Sequence, residues 1–376
     1  MTDTRLPDGL AADSLLARTV AQIFPADPAA QAAAAERQQI LIKPEGSLGE
    51  LEALSIRLAG ISGHMPAPVP ARPVIGLFAG DHGVWAQGVS PDPQQITAQM
   101  AVTMAAGGAA INVLARHMQA EVWVTDIGVS TELPSDTGIR HRCVRRGTDD
   151  ISKGPAMSLT EAIAALEVGI TTADEAVAQG ADILVTGEMG IANTTPAAAL
   201  IATFTGRDPA DVTGRGAGAS DERHAHKITI VRRALAVNRP DPSRPVEALA
   251  GVGGLEHAAL AGLILGAAAH RIPVVIDGVI ACSSALAAVA IAPAAQDFLV
   301  AGHAGAEPGI TAALDLLGLP ALLDLGMRLG EGSGAVLALP IVQAAAHILA
   351  EMATFEDAAV TDIKVTGEVE IPAQDA

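Results

Sequence analysis

Ile183-Leu184-Val185-Thr186-Gly187-Glu188-Met189-Gly190-Ile191-Ala192-Asn193-Thr194-Thr195-Pro196 is the stretch on which the fold turns. Its first four residues suit a buried strand. A Gly and a carboxylate follow, then a second Gly, and Thr194, Thr195 and Pro196 open an Ala-rich helical pattern. Strand, polar turn, helix is the unit of parallel α/β sheets. The same order recurs elsewhere: residues 74–79 run into Gly80-Asp81-His82-Gly83, 121–125 into Asp126, 273–276 into Asp277-Gly278, and 298–300 into Ala301-Gly302-His303. Right-handed crossovers bring the C-terminal ends of such strands to one edge. The polar turns then gather where ligands of open α/β sheets bind.

Composition agrees. Half of the 376 residues are hydrophobic, but aromatics supply only 2 % and Tyr is absent. A core of Ala, Val, Leu and Ile suits parallel strands under small-faced helices better than an all-β sandwich. The mean hydropathy of +0.37 raises the question of a membrane. The apolar run 255–270 stops at Arg271 and Pro273, short of the roughly 20 residues of a span. Residues 1–15 carry acidic groups and no apolar signal-peptide core. The expectation is a soluble, cytoplasmic protein with no membrane span. A net charge of −19 argues against nucleic acid as partner, though a small anion needs only one local electropositive pocket. Cys143 and Cys282 are too few for a disulfide framework and are expected to pack as small core residues.

Periodicity near 3.6 predicts helices over 15–23, 29–42 and 48–58, and a final helix over 341–352 started or kinked by Pro340. The expected fold class is α/β, a parallel sheet flanked by helices in a Rossmann-like three-layer arrangement. A small helical domain is expected from residues 1–70 with 335–360, a large catalytic α/β domain from 71–334, and a tail over 361–376.

Three segments carry chemistry. The turn Gly187–Thr195 lets backbone N–H groups approach a ligand, with Thr194 and Thr195 capping a helix or bonding a phosphate. A capped turn whose glycines only solve packing fits equally. A second glycine loop, Gly214-Arg215-Gly216-Ala217-Gly218, precedes a helix with Lys227, and the two loops with that Lys make a phosphate cradle. Lys227 alone reads as ordinary surface charge. In Leu329-Gly330-Glu331-Gly332-Ser333, Glu331 has no side-chain neighbours to cover it. Dehydrated beside a ligand it becomes a usable base, and at a helix start it is also an ordinary structural Glu. Asp81, His82, His257, His303 and Asp277 are scattered without HxH, HExxH or Cys/His spacing, and they read as loop-orienting groups with no metal.

With these segments quoted, the chain resembles the nicotinate-nucleotide:dimethylbenzimidazole phosphoribosyltransferase family. The likeness is carried by Lys43-Pro44-Glu45-Gly46-Ser47, Gly80-Asp81-His82-Gly83-Val84, Gly88-Val89-Ser90 with Thr97-Ala98-Gln99-Met100, the two glycine loops, Val252-Gly253-Gly254-Leu255-Glu256, Ala306-Glu307-Pro308-Gly309 and Arg328 to Gly334. The resemblance implies transfer of phosphoribose from nicotinate mononucleotide to 5,6-dimethylbenzimidazole in cobalamin nucleotide-loop assembly, by a homodimer without cofactor or metal. It implies Glu331 as general base and Glu188 as a second carboxylate near the ribose. Asp81, His82, Ser90, Gln99 and Leu329 are implied for the base, and Gly187, Gly190, Asn193, Thr194, Thr195, Gly216, Gly218, Lys227 and Gly305 for the phosphoribosyl group. The chain departs from the family at Ala192, where Gly is common, and at Gly302 and Gly305, where Ser is common. Pro91 and Gln95 depart within the base-binding segment, which leaves the accepted base open.

Overall fold

The computed structural model describes residues 5–216 and 218–360, so the expected tail lies outside the described residues. In chain order the elements are α1 (Leu15–Ala21), α2 (Pro28–Ile40), α3 (Glu50–Ser62), β1 (Pro73–Gly80), α4 (Gln95–Ala105), α5 (Ala110–His117), β2 (Glu121–Gly128), β3 (Arg140–His141), α6 (Leu159–Ala178), β4 (Ile183–Met189), α7 (Thr194–Thr205), α8 (Pro209–Val212), α9 (Asp221–Asn238), α10 (Pro245–Val252), α11 (Leu255–Ala269), β5 (Val274–Ile276), α12 (Val279–Ile291), β6 (Leu299–His303), α13 (Pro308–Leu317), β7 (Ala321–Leu323) and α14 (Ser333–Glu351).

The strands form one parallel sheet in the order β3-β2-β1-β4-β5-β6-β7. The order reverses at β1, where Leu77 lies opposite Val124 of β2 and opposite Gly187 of β4. This is the doubly wound arrangement, and the expected α/β class holds. β1 is buried along its whole length, which is why it reads as an unbroken apolar run. Alternation then sorts its neighbours: Gly76 abuts Leu263 of α11, while Ile75 and Leu77 abut Gly187.

Small residues do more than fill the core. A side chain at Gly169 in α6 would strike the carbonyl of Ala259, and one at Gly262 in α11 would strike the carbonyl of Leu166. The two helices therefore meet backbone to backbone, and every residue of 255–268 in α11 is buried. The Ala/Gly-rich run belongs to this core.

Two further helical stretches, Gln95–His117 and Ser333–Glu351, are long and apolar enough to cross a membrane by length and composition. The first is interrupted between α4 and α5. More than half of the second is buried inside the protein.

The described chain divides into two compact units. One comprises the residues up to Ala26 with Pro70–Ile341, the other Asp27–Val69 with the residues from Val342. α1 belongs to the first unit because it packs on α6 and α11, where the Leu16 N–H donates to Glu167. Within the second unit, Lys43 pairs with Glu52 at 2.8 Å, and Arg37 donates to the carbonyls of Leu349, Ala350 and Met352 at the helix C-terminus. That placement suits a cation.

Two expectations need correction. The last helix begins at Ser333, not near 341, and runs through Pro340. The Pro340 ring is exposed, and it leaves the carbonyl of buried Val336 without its helical donor. Of the two cysteines only Cys282 is buried; Cys143 is partly exposed.

Candidate active site

A cavity of about 460 Å³ opens at the C-terminal ends of the central strands. Its wall is built from the turns that the sequence marks as polar. β4 delivers Glu188 and Met189, and the following turn adds Gly190, Asn193 and Thr194. The β5 turn adds Gly278, β6 ends in His303, and the loop before α14 adds Met327 to Glu331. The first helical residues of α7 and α12 (Thr194, Val279) and Glu307, just before α13, also line it. None of these three helices has a side-chain cap bond, and their N-terminal ends, where the helix dipole is positive, form part of the cavity wall.

Two carboxylates stand together on this wall. Glu331 has a left-handed backbone (φ 64°) between Gly330 and Gly332, both also at positive φ. A side chain at Gly330 would collide with Glu188, so this loop shape and the Glu188 carboxylate require each other. Glu331 is less open than its glycine neighbours suggest: it is 6 % exposed, and its Oε2 accepts from the Ile111 N–H at 3.1 Å. Burial pushes its pKa up, the Ile111 bond opposes that, and the nearby Asp277 charge adds to it. Glu188 accepts from the Asn193 amide at 2.5 Å and from the Glu331 N–H. Its pKa is pushed up to about 8, first by burial and then by the charges of Asp277 and Glu256. In the free protein it therefore holds a proton at neutral pH.

Asp277 is fastened differently. It accepts from the N–H groups of Gly332 (3.2 Å), Gly334 (2.8 Å) and Ala335 (2.9 Å), and so pins the Glu331 loop and the start of α14 to the end of β5. His303 lies 3.3 Å from it through Nε2.

The other end of the cavity is cationic. Lys227 of α9 is 1 % exposed and donates to Thr194 Oγ1 at 2.7 Å and to the Gly214 carbonyl at 3.2 Å. Burial lowers its pKa to about 8, against the raising effect of Glu307. Glu307 in turn accepts from the Gly216 N–H at 2.8 Å, which ties the second glycine loop to α13. Arg215 and Arg328 complete this end. A bound anion here meets one buried ammonium, two guanidinium groups and the positive end of the α7 dipole.

Of the residues singled out in the sequence, Glu188, Glu331, Ser90, Leu329, Gly190, Asn193, Thr194, Gly216 and Lys227 share this cavity wall. Gly187 lies just behind it, against the Glu331 carbonyl, and Gly305 packs beside His303. Gly218 lies near Arg328, and Thr195 is wholly buried. Gln99 is exposed and does not line the cavity. Asp81 and His82 are buried away from the lining: Asp81 accepts from Ser130, and His82 contacts Glu256. Sequence reasoning did not place Met100, Asp277, His303, Glu307 or Arg328 at the site. Asp277 and His303 were visible as strand-end polar residues. The Ile111 N–H has no side-chain signature at all.

The doubly wound sheet, with its cavity at strand C-termini beside the reversal of strand order, places the protein among the α/β proteins that take ligands at a topological switch point. A family model described as Phosphoribosyltransferase matches residues 23–360, and the chain belongs to that family. It is 55 % identical over 360 residues to a nicotinate-nucleotide–dimethylbenzimidazole phosphoribosyltransferase of Salinispora tropica, covering 92 % of this chain and 99 % of that one. A protein of the same name from Chloroflexus aggregans is 53 % identical over 351 residues, covering 93 % and 99 %. The crystal structure of such an enzyme from Thermus thermophilus superposes with a TM-score of 0.85 at 45 % identity, covering 89 % of this chain and 99 % of that one.

Proposed function

We propose that this chain transfers phosphoribose from nicotinate mononucleotide to 5,6-dimethylbenzimidazole, giving α-ribazole 5'-phosphate and nicotinate for cobalamin assembly. The observation that carries the reading is that Glu188 and Glu331, both dehydrated, line one cavity together with Lys227, Arg215 and Arg328. The whole-length likeness to enzymes of that name supports it.

The chemistry follows from the groups on the wall. The nucleotide phosphate takes the cationic end, against Lys227, Thr194 and the Gly190 and Gly216 turns, and shares Lys227 with Glu307. The ribose then lies over Glu188. Nicotinate leaves from a cationic pyridinium, so departure needs no strong acid, and the sugar carbon passes through an oxocarbenium-like state. The free-protein proton on Glu188 makes it a hydrogen-bond donor; the positive charge of the bound substrate favours its anionic form, which stabilises that cation. The incoming base sits between Ser90, Met100 and Leu329. As its imidazole nitrogen bonds to carbon, the opposite ring N–H becomes acidic, and Glu331 accepts that proton. Alignment of the two reactants supplies further acceleration.

The same reading takes the enzyme as a cytoplasmic homodimer, and sedimentation equilibrium at twice the chain mass tests the assembly. The activity is tested by mixing purified protein, nicotinate mononucleotide and a panel of benzimidazoles, purines and phenols. Release of nicotinate with formation of the benzimidazole nucleotide is the expected result. Strong preference for another acceptor overturns the substrate assignment, and binding without release of nicotinate overturns the activity.

A further inference from the structure

Behind the cavity wall lies a cluster that the proposed transfer does not use. His82 follows β1, and Glu256 and His257 lie in the first turn of α11. All three are buried, at 1 %, 0 % and 0 % exposure. Their donor atoms lie within 4.8 Å of one another. Glu256 Oε1 is 2.7 Å from His82 Nε2 and 3.0 Å from His257 Nδ1. Despite this closeness, no contact among the four ring nitrogens and both carboxylate oxygens meets strict hydrogen-bond geometry, although both imidazoles attract the carboxylate. The groups converge, but not along hydrogen-bond directions.

Such poorly aligned polar groups are costly in an apolar interior unless something occupies the centre of the cluster. Gly254 keeps that centre open. A methyl group there would come within 2.5 Å of the His82 ring, 2.7 Å of Glu256 Oε2 and 2.8 Å of His257 Nδ1. Two imidazoles and one carboxylate are a donor set for a divalent ion of intermediate softness. We propose that His82, Glu256 and His257 bind one divalent transition-metal ion of the zinc class. The ion ties the turn after β1 to the start of α11. A side chain at Gly190 of the cavity wall would lie 3.2 Å from His82 Nε2, so the ion stiffens the backing of the cavity without entering it. Ligand bonds of about 2.1 Å around a tetrahedral ion draw the donor atoms to about 3.4 Å from one another, which small rotations of the two rings provide.

The sequence concealed this set because its histidines are far apart in the chain and the third donor is a Glu. Glu256 also acts on Glu188 through its charge, so ion binding and nicotinate release are measured separately, and each can fail without the other.

The test uses the full-length, tag-free chain, stripped with a chelator and titrated with Zn²⁺ or Co²⁺. Expected are one ion per chain, the visible d–d absorption of tetrahedral Co²⁺, and a melting midpoint raised by about 3 °C at a hundredfold excess over Kd. Mg²⁺ should produce neither signal. His257→Leu removes a donor with an apolar residue of similar size, and Gly254→Ala blocks the centre while keeping all three donors. Circular dichroism confirms that each is folded, and a folded variant is expected to lose the Co²⁺ spectrum. Failure of the unaltered chain to retain an ion overturns the proposal and leaves the cluster held by protons alone. Unchanged Co²⁺ binding in a folded variant also overturns it, by placing the ion elsewhere.

Discussion

The end of β4 and the turn after β5 each deliver a buried carboxylate to the same edge of the sheet, and the two are treated in opposite ways. Asp277 receives three backbone N–H groups and fastens the start of α14. Glu188 receives one amide and one N–H, faces two like charges, and is held above the carboxylate range. Glu331, carried on the loop that Asp277 pins, has a single backbone donor. One carboxylate is satisfied so that two others can be left wanting. Main-chain donors make a carboxylate structural, and their scarcity makes it available to a ligand.

Substitution can break this contrast. Glu331→Gln keeps the shape and the Ile111 contact but cannot take a proton, so turnover should fall by roughly 10²–10⁴-fold with the fold intact. Near-normal turnover in steady-state assays removes Glu331 from the mechanism. Glu188→Gln tests the β4 turn through stability. The folded pKa of Glu188 is raised from 4.5 to about 8, so its stabilising contribution is complete below pH 4.5 and is lost as pH rises toward and through 8. The variant should therefore gain on the parent as pH rises from 5 to 9, by up to ~4 kcal/mol. Parallel melting curves across that range show Glu188 to be ionised throughout. Asp277→Ala should cost about 3 kcal/mol of stability at neutral pH by orphaning backbone donors, and denaturant titration measures it. A loss under 1 kcal/mol makes the β5 turn no more structural than the β4 turn. The smallest effect is at Ala192, which has φ 76° in the β4 turn. Ala192→Gly should relieve about 1 kcal/mol of backbone strain and raise the melting midpoint slightly.

How much was legible in the sequence follows the same division. β1, β2, β4, β5 and β6 were readable because each is an apolar run closed by a polar turn. β3 was not, because Arg140-His141 is two polar residues that pair with Thr125 and Asp126. The start of α14 was hidden by Pro340. At the site, glycines betrayed the loops around Glu188 and Glu331, since only glycine fits at Gly330 and Gly332. The donor to Glu331 could not be read, because it is a backbone N–H 220 residues away in sequence. Glu307 and Asp277 look like ordinary acids until the sheet brings backbone donors to them.

The left-handed backbone at Glu331 has one more consequence. A glycine at that position would sit at ease and would bury no reluctant acid, so a chain carrying Glu331→Gly should melt later at neutral pH while losing its chemistry. Durability and work are set against each other at one amino acid, and selection for heat resistance alone would be expected to discard it.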